Sequence, residues 1–314
     1  MTTNQLQSDT DITVAYIILH FNNVKDTEDC IESLLKNDSA ANIHYVIVDN
    51  GSRNELLPSL KAISDRDDRI HLILNNRNLG YARGNNAGID FARQTLNASF
   101  IIVINNDTIV DQLNFSKEAV KRYFKEPYAL LGPDIRTLYG KSHQNPPIRY
   151  YHDLTSLRKY ISNMRILYLA SFLGADKLIK FIKRILIPSS QNAEKRSGRY
   201  DLEIENTILH GSCIVFSPDY FNKFDGFYPE TFLFGEEEIL YFQSMQYNLK
   251  TLYCPDVFIV HKEDGTLNNV FKRKSRAKRA FVYKNKIASA LILKKLMILN
   301  FPEDYQKKRQ RNPQ

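Results

Sequence analysis

The chain has 314 residues, 43% of them hydrophobic, with 43 Lys and Arg against 35 Asp and Glu for a formal net charge of +8. This excludes a disordered chain and leaves room for one large α/β domain with additions, or two modest domains. The positive balance favours a polyanionic partner, whether nucleic acid, an anionic membrane surface or a phosphorylated substrate, and does not choose among them.

Cys30, Cys213 and Cys254 are odd in number and have no partner at metal-ligand spacing, so they read as reduced thiols in a cytosolic setting. Residues 1–11 form a polar leader without the basic start and apolar core of a signal peptide. No run approaches the length that spans a bilayer. The expected location is cytoplasmic.

In chain order, Val14–Leu19 is the first strand, ending in His20, Phe21, Asn22 and Asn23. A helix follows over Asp26–Leu35, with Cys30, Ile31, Leu34 and Leu35 at helical spacing. Tyr45–Val48 is a second buried strand that closes on Asp49, Asn50, Gly51 and Ser52, and Asn54–Ile63 reads as helical. Ile70–Leu74 is a third strand, leading into a glycine-rich segment with Gly80, Gly84 and Gly88 that loosens the start of a helix running to about Leu96. The fourth strand, Phe100–Ile104, is short, β-branched and free of Gly and Pro, as expected of a strand buried on both faces. It stops in Asn105, Asn106 and Asp107.

Alternating strands and helices predict a mostly parallel sheet flanked by helices. Four strand ends deliver Asn, Asp, Gly and Ser to one edge, where open α/β sheets bind ligands. Each cluster is also good turn chemistry. Their recurrence after four apolar strands favours a shared nucleotide-phosphate cleft.

Four motifs in this order carry a resemblance: LHFN at Leu19–Asn22, VDNGS at Val48–Ser52, NLGYARGNNAG at Asn78–Gly88 and NND at Asn105–Asp107. Together they resemble the inverting family 2 glycosyltransferases of GT-A fold, most nearly the rhamnosyltransferase-like enzymes of bacterial polysaccharide assembly. The resemblance implies a nucleoside diphosphate sugar donor bound by His20, Asn22, Asp49, Asn50, Asn78, Gly80, Arg83, Asn85, Asn105 and Asn106. Asp49 would hydrogen-bond the base, and Arg83 would approach the base or the diphosphate. Asp107 would be the last carboxylate of the family's DxD motif, holding a divalent cation, Mg2+ or Mn2+. Asn105 stands where the first Asp is usual.

A helix over Ser116–Lys125 and a short strand near Ala129–Gly132 complete the first half. Residues 140–204 then read as a basic helical insertion, either a subdomain packed on the sheet or an acceptor-side or membrane-facing lid. The core resumes with a strand over Leu209–Phe216, whose Gly211 and Ser212 resemble the family's sugar-pocket segment. In Thr231–Phe242 the triplet Glu236, Glu237 and Glu238 suits the first turn of a helix. In the resembled branch this position supplies the general base. Aligning Gly235-Glu236-Glu237 on the family's Gly-Glu-Asp favours Glu237, with Glu236 next.

Thr251–Val260 reads as a strand pair near the sheet edge. A lone His after such a strand is usually a satisfied surface imidazole. By resemblance, His261 faces the diphosphate or the metal. The tail mixes Lys272, Arg273, Lys274, Arg276, Lys278 and Arg279 with apolar positions from Phe281 to Leu299. It reads as a basic amphipathic helix, either on an anionic membrane or closing the back of the core. No pattern supports a nucleic-acid partner.

The expected organisation is therefore a leader (1–11), a nucleotide-sugar half (12–139), the insertion (140–204), an acceptor and catalytic half (205–266) and the tail (267–314). The expected acceptor is a saccharide, by family analogy lipid-linked. A nucleotidyltransferase of related fold and a non-catalytic nucleotide-sugar or membrane-binding protein remain the competing readings.

Overall fold

The computed structural model describes residues 12–40, 42–138, 142–147, 151, 153–179, 200–262 and 275–299. The expected leader, residues 180–199 of the insertion and the first cations of the tail lie outside the described residues.

The predicted first half forms as four strands: β1 (Val14–His20), β2 (Ile43–Asp49), β3 (Ile70–Leu74) and β4 (Phe100–Asn105). They lie side by side as β3-β2-β1-β4, all parallel, with Leu19 opposite Asn105 and His20 opposite Asp49. This register brings the polar strand ends to one edge. The helices between them are α1 (Val24–Asn37), α2 (Leu57–Ser64) and α3 (Tyr81–Gln94). Asn23 caps α1 by accepting from the Asp26 N–H, and Cys30, Ile31 and Leu34 form its buried stripe.

Both sheet faces are apolar because alternate residues of each strand point to opposite sides. Ile17, Val46, Val48 and Val103 belong to the core layer that includes α3, while Tyr16, Ile18, Tyr45, Ile47 and Ile102 belong to the layer that includes α1. Gly84 and Gly88 lie inside α3 rather than loosening its start. A Cβ there would come within 2.6 Å of Leu19 and 2.5 Å of Ile17, so the glycines let the helix sit close on the sheet.

The second half mixes strand directions. After the short β5 (Thr108–Ile109) and helix α4 (Phe115–Lys125), β6 spans Leu130–Thr137, longer than the expected Ala129–Gly132. The minor strand β7 is Ile204–Glu205. Strand β8 is Cys213–Phe216 and runs antiparallel between β4 and β6, so Gly211 and Ser212 belong to the turn before it and not to the strand itself.

The expected strand pair over 251–260 is one strand, β9 (Thr251–His261). Its register against β6 jumps from Cys254 opposite Pro133 to Phe258 opposite Asp134, because Pro255 cannot donate to the ladder and a bulge absorbs it. The strand lies near the sheet edge, as expected. It pairs with β6 along one side and with β7 and β5 along the other, and the last pairing sets Thr108 opposite His261.

The described part of the insertion is helix α5 (Leu154–Leu173), closed by a capping box at Asp153 and Ser156. Helix α6 (Glu236–Gln246) starts with the glutamate triplet, and the tail forms α7 (Arg276–Ile298). Asp176, just past α5, accepts from Arg279 Nε at 2.6 Å and from the Tyr283 hydroxyl at 3.1 Å near the start of α7. At the other end, Tyr151 and Tyr160 share a cavity wall with Lys286 and Ala290. The two helices are thus antiparallel. Tyr283, Ser289, Ala290, Leu293 and Leu296 of α7 are buried, while Leu291, Ile298 and Leu299 are exposed. Ala290, Leu293 and Leu296 join the core layer that includes α3, and Ser289 reaches the Leu233 carbonyl just before α6.

Candidate active site at the polar edge of the sheet

Much of the polar edge holds itself together. Asn50 is buried. Its amide donates to Asn78 and to the Gly80 carbonyl, both at 3.1 Å, and its oxygen accepts from the Leu79 N–H at 3.0 Å. Asn78 also accepts from the Gly80 N–H. Gly80 takes φ +85°, and a Cβ on it would meet the Phe232 carbonyl at 2.5 Å, so only glycine fits this junction. Asn106 donates to the Thr27 hydroxyl, and Asn22 accepts from the Arg53 N–H. Asn85 donates back to the Tyr81 carbonyl one helical turn earlier.

His20 is fully buried with Nδ1 on the Thr27 hydroxyl at 2.7 Å. Burial, opposed by the charge of Asp49, lowers its pKa to about 4, so it is neutral. These residues shape the cleft. The loop they fix borders a cavity of about 250 Å³ lined by Arg77, Asn78, Leu79, Arg83, Pro229, Glu230, Thr231 and Phe232. Arg83 is exposed there, anchored by Nε to the Pro229 carbonyl at 2.8 Å. Asp49 is buried at the end of β2 and accepts from the Ser52 N–H.

Farther along the edge, the pairing of β5 with β9 brings Asp107 to His261, with Oδ1 and Nε2 3.1 Å apart. The other imidazole nitrogen meets Gln144 Oε1 at 2.8 Å, which fixes the ring. Lys262 donates its backbone N–H to the Asp107 carbonyl, while its ammonium binds Asp26 and Asp29 on α1. Asn105 ends β4 beside this pair, donating its N–H to the Ser212 carbonyl.

A carboxylate oxygen and an imidazole nitrogen this close suit a divalent cation that takes its remaining ligands from diphosphate oxygens. Among the described residues no third His, Cys, Asp or Glu joins them. The one threefold group, Glu203, Cys254 and Asp256, lies elsewhere. There Arg122 already neutralises Glu203 at 2.6 Å, and burial pushes the Cys254 thiol up to about 12, so it makes a poor metal site.

The glutamates open a second cavity, of about 170 Å³, whose walls include Glu237, Glu238, His210, Phe234, Tyr151 and Lys286. Glu237 is half-buried and faces the opening. The Gly211 N–H donates to it, and a Cβ on Gly211 would lie 2.6 Å from its Oε1, so the turn before β8 presses against this carboxylate. Tyr81, at the start of α3, holds that turn by donating to the Gly211 carbonyl at 2.6 Å.

Glu236 lies beneath, 5% exposed, and its Oε1 has no hydrogen-bond partner among the described residues. Burial raises the pKa of both carboxyls, and the neighbouring glutamates raise them further. Glu237 is eased by Lys286 and by the Gly211 N–H, and both carboxyls sit at the positive end of α6. On balance both carboxyls hold their protons to higher pH than an exposed glutamate would.

Sequence reasoning missed His210, Tyr81, Arg77 and Lys286. His210 is half-buried between Ser212, at 2.9 Å, and the His261 ring, and desolvation lowers its pKa to about 4. Its signal was its place beside Gly211. Lys286 carried none, since it is one of many lysines in the tail.

The sequence profile of Glycosyl transferase family 2 matches residues 16–184, which includes most of the insertion. A curated relative from Haloferax volcanii, the low-salt glycan biosynthesis hexosyltransferase Agl10, is 25% identical over 246 residues. The match covers 77% of this chain but only 65% of that protein's length. Among solved structures, TarS 1-349 of S. aureus aligns with a TM-score of 0.53 at 14% identity, over 95% of this chain and 69% of that one. GalNAc-T7 with UDP, GalNAc and Mn2+ aligns with a TM-score of 0.57 at 14% identity, over 97% of this chain and 56% of that one. Those two likenesses speak to fold alone, and the fold is the GT-A fold. With its profile matching more than half of the sequence, from β1 into the insertion, the chain belongs to glycosyltransferase family 2.

Proposed function

We propose that the protein transfers a hexose or deoxyhexose, with inversion, from a nucleoside diphosphate sugar to a hydroxyl of a saccharide acceptor. The observation that carries this reading is Glu237, a carboxyl on a cavity wall, set at a helix N-terminus and pressed by the turn at Gly211, with its pKa raised by burial and by its neighbouring glutamates. Inversion needs a base on the face opposite the leaving group, with a pKa near the working pH. Glu237 takes the acceptor proton, while Glu236 fixes its orientation from below.

The donor's base and diphosphate lie along the edge from Asp49 and Arg83 to Asp107 and His261. Gly211 and Ser212 border the sugar. Asp107 and His261 would hold a divalent cation, which would supply neutralisation of the charge that develops on the leaving diphosphate. Metal use in the GT-A neighbour crystallised with Mn2+ supports that assignment, and the ion itself stays open between Mg2+ and Mn2+.

We further propose that the acceptor is lipid-linked and that the protein works on an anionic membrane surface as a peripheral protein. The basic tail supports this, and among the described residues no helix is long and apolar enough to cross a membrane.

The test is donor binding and transfer across UDP-, dTDP- and GDP-sugars, with and without Mn2+ or Mg2+. Glu237→Gln should lose roughly a hundred- to ten-thousandfold in transfer while still binding donor. Asp107→Ala should lose metal-dependent binding. Unchanged transfer by Glu237→Gln would remove it as the base. Donor binding without turnover in the wild type, on any acceptor, would favour a non-catalytic nucleotide-sugar-binding protein.

A further inference from the structure

Large apolar side chains exposed to solvent are scattered singly over most of the described surface, at Leu74, Leu113, Phe124, Leu138, Leu202 and Phe232. Isolated cases of this kind need no explanation. Helix α5 differs. Ile166, Leu169, Phe172 and Leu173 stand on its outer side at 51%, 66%, 59% and 82% exposure, and Leu178 follows just beyond at 59%. Their spacing puts all four helix residues on one face, opposite the buried Leu167 and Ser171. The same outer face in the first half of α5 is polar, with Arg158, Lys159, Ser162 and Asn163 exposed. Polarity therefore changes along the helix, and its C-terminal end forms an apolar tip.

The charges around the tip have one sign. Leu154 to Ala175 contain no Asp or Glu. Arg165 and Lys177 are exposed among the apolar residues, and the guanidinium of Arg276 lies beside Gly174 at the helix end. The nearest carboxylate in sequence, Asp176, is fully buried and consumed by Arg279 and Tyr283. An apolar tip ringed by cations matches a bilayer surface with anionic headgroups, where aliphatic and aromatic side chains enter the acyl boundary and Arg and Lys stay at headgroup level.

We propose that the C-terminal end of α5, and not the apolar face of the tail, is the membrane-docking element, and that its partner is an anionic phospholipid surface. Helix α7 buries Tyr283, Ala290, Leu293 and Leu296 on the protein, leaves Leu291, Ile298 and Leu299 exposed toward its C-terminal end, away from this tip, and adds charge at the tip through Arg276. The inference rests on the membrane-surface reading above and sharpens it geometrically. Tyr160, on the cavity of Glu237, and Phe172, at the tip, are twelve residues apart on one helix, about 18 Å along its axis. A lipid-linked acceptor must present its hydroxyl up to that height above the headgroups. A saccharide or phosphate linker of several units is required, and a single sugar on a lipid phosphate falls short when the helix stands upright.

The experiment is co-sedimentation of the full chain with vesicles of phosphatidylcholine alone, or mixed with phosphatidylglycerol, at low and physiological salt. Donor hydrolysis is measured in parallel without vesicles. The wild type should sediment with the mixed vesicles and not with phosphatidylcholine alone. The triple variant Leu169→Ser, Phe172→Ser, Leu173→Ser should lose at least about tenfold in partition, given the apolar area withdrawn. The milder pair Arg165→Gln, Lys177→Gln should lose mainly the salt-sensitive part.

Vesicle binding equal in wild type and triple variant overturns the proposal, as does a wild type that binds no vesicles. A solution dimer that the triple variant converts to a monomer, with vesicle binding unchanged, assigns the tip to a second copy of the chain instead. Donor hydrolysis that survives in every variant separates failure of docking from failure of the transferase reading.

Discussion

The two halves of the cleft are built on opposite principles. On the nucleotide side the side chains named by the motifs mostly satisfy one another: Asn50 with Asn78, Leu79 and Gly80, Asn106 with Thr27, and His20 with Thr27. On the acceptor side the glutamates crowd one another, and one buried carboxyl oxygen of Glu236 has no partner among the described residues. The first half is a cradle with most of its polar groups spent, His20 Nε2 and Asn85 Oδ1 alone among its named side chains being buried without a partner among the described residues, and the second crowds like charges beside a cavity. Binding surfaces gain from preorganisation, whereas a general base must be held away from the pKa it would have in water.

The contrast breaks first at the contact between the halves. In Gly211→Ala the new methyl would lie 2.6 Å from Glu237 Oε1, and the carboxylate must swing away. The expected loss in transfer is roughly a hundredfold, with the thermal midpoint close to that of the wild type, because the atom displaced is the end of a side chain. Unchanged turnover would show that the turn does not set the position of the base.

On the cradle side, Asn50→Ala removes four hydrogen bonds and loosens the loop 78–80. Urea unfolding should show a loss of about 2–3 kcal/mol, and the KM for donor should rise more than kcat falls. Wild-type stability in that variant would mean that water replaces the amide and that Asn50 does not hold the cradle.

Glu236→Gln tests the crowding of like charges. A carboxyl whose pKa is raised by folding binds more protons folded than unfolded, so its contribution favours the fold at low pH. That contribution is lost as pH rises from the ordinary carboxylate range through the raised value. Denaturation across pH should show the variant gaining on the wild type as pH rises through that window, with the two equal below it. Parallel curves would dismiss the buried charge.

The smallest effect is expected at Lys286, which lies on the same cavity wall and favours the charged form of Glu237. Lys286→Met should move the acid limb of the pH–rate profile to higher pH, and Lys286→Arg should restore it. A limb that stays in place would reduce Lys286 to a packing residue above Phe234.

Local physics made much of this readable in advance. Apolar β-branched runs such as Val14–Leu19 and Phe100–Ile104 had few alternatives to buried parallel strands, and their polar ends had to meet at one edge. The helices over 24–37, 81–94 and 115–125 followed from periodicity. The sequence was misleading where long-range pairing overrode local pattern. Residues 251–260 read as two strands where partners on both sides hold one bulged strand, and Gly211 looked like part of a strand when it belongs to a turn held by Tyr81.

The sequence by itself determined the nucleotide half: its strands, its polar edge and its family resemblance, because those depend on residues close together in the chain. Only the tertiary structure decided which of the edge residues are consumed in holding the loops, that His210 and Lys286 join Glu237, and that α5 ends in an exposed apolar tip. Those facts depend on contacts between segments far apart in sequence, and on burial, which shifts a carboxyl or frees a face only once the chain has closed around it.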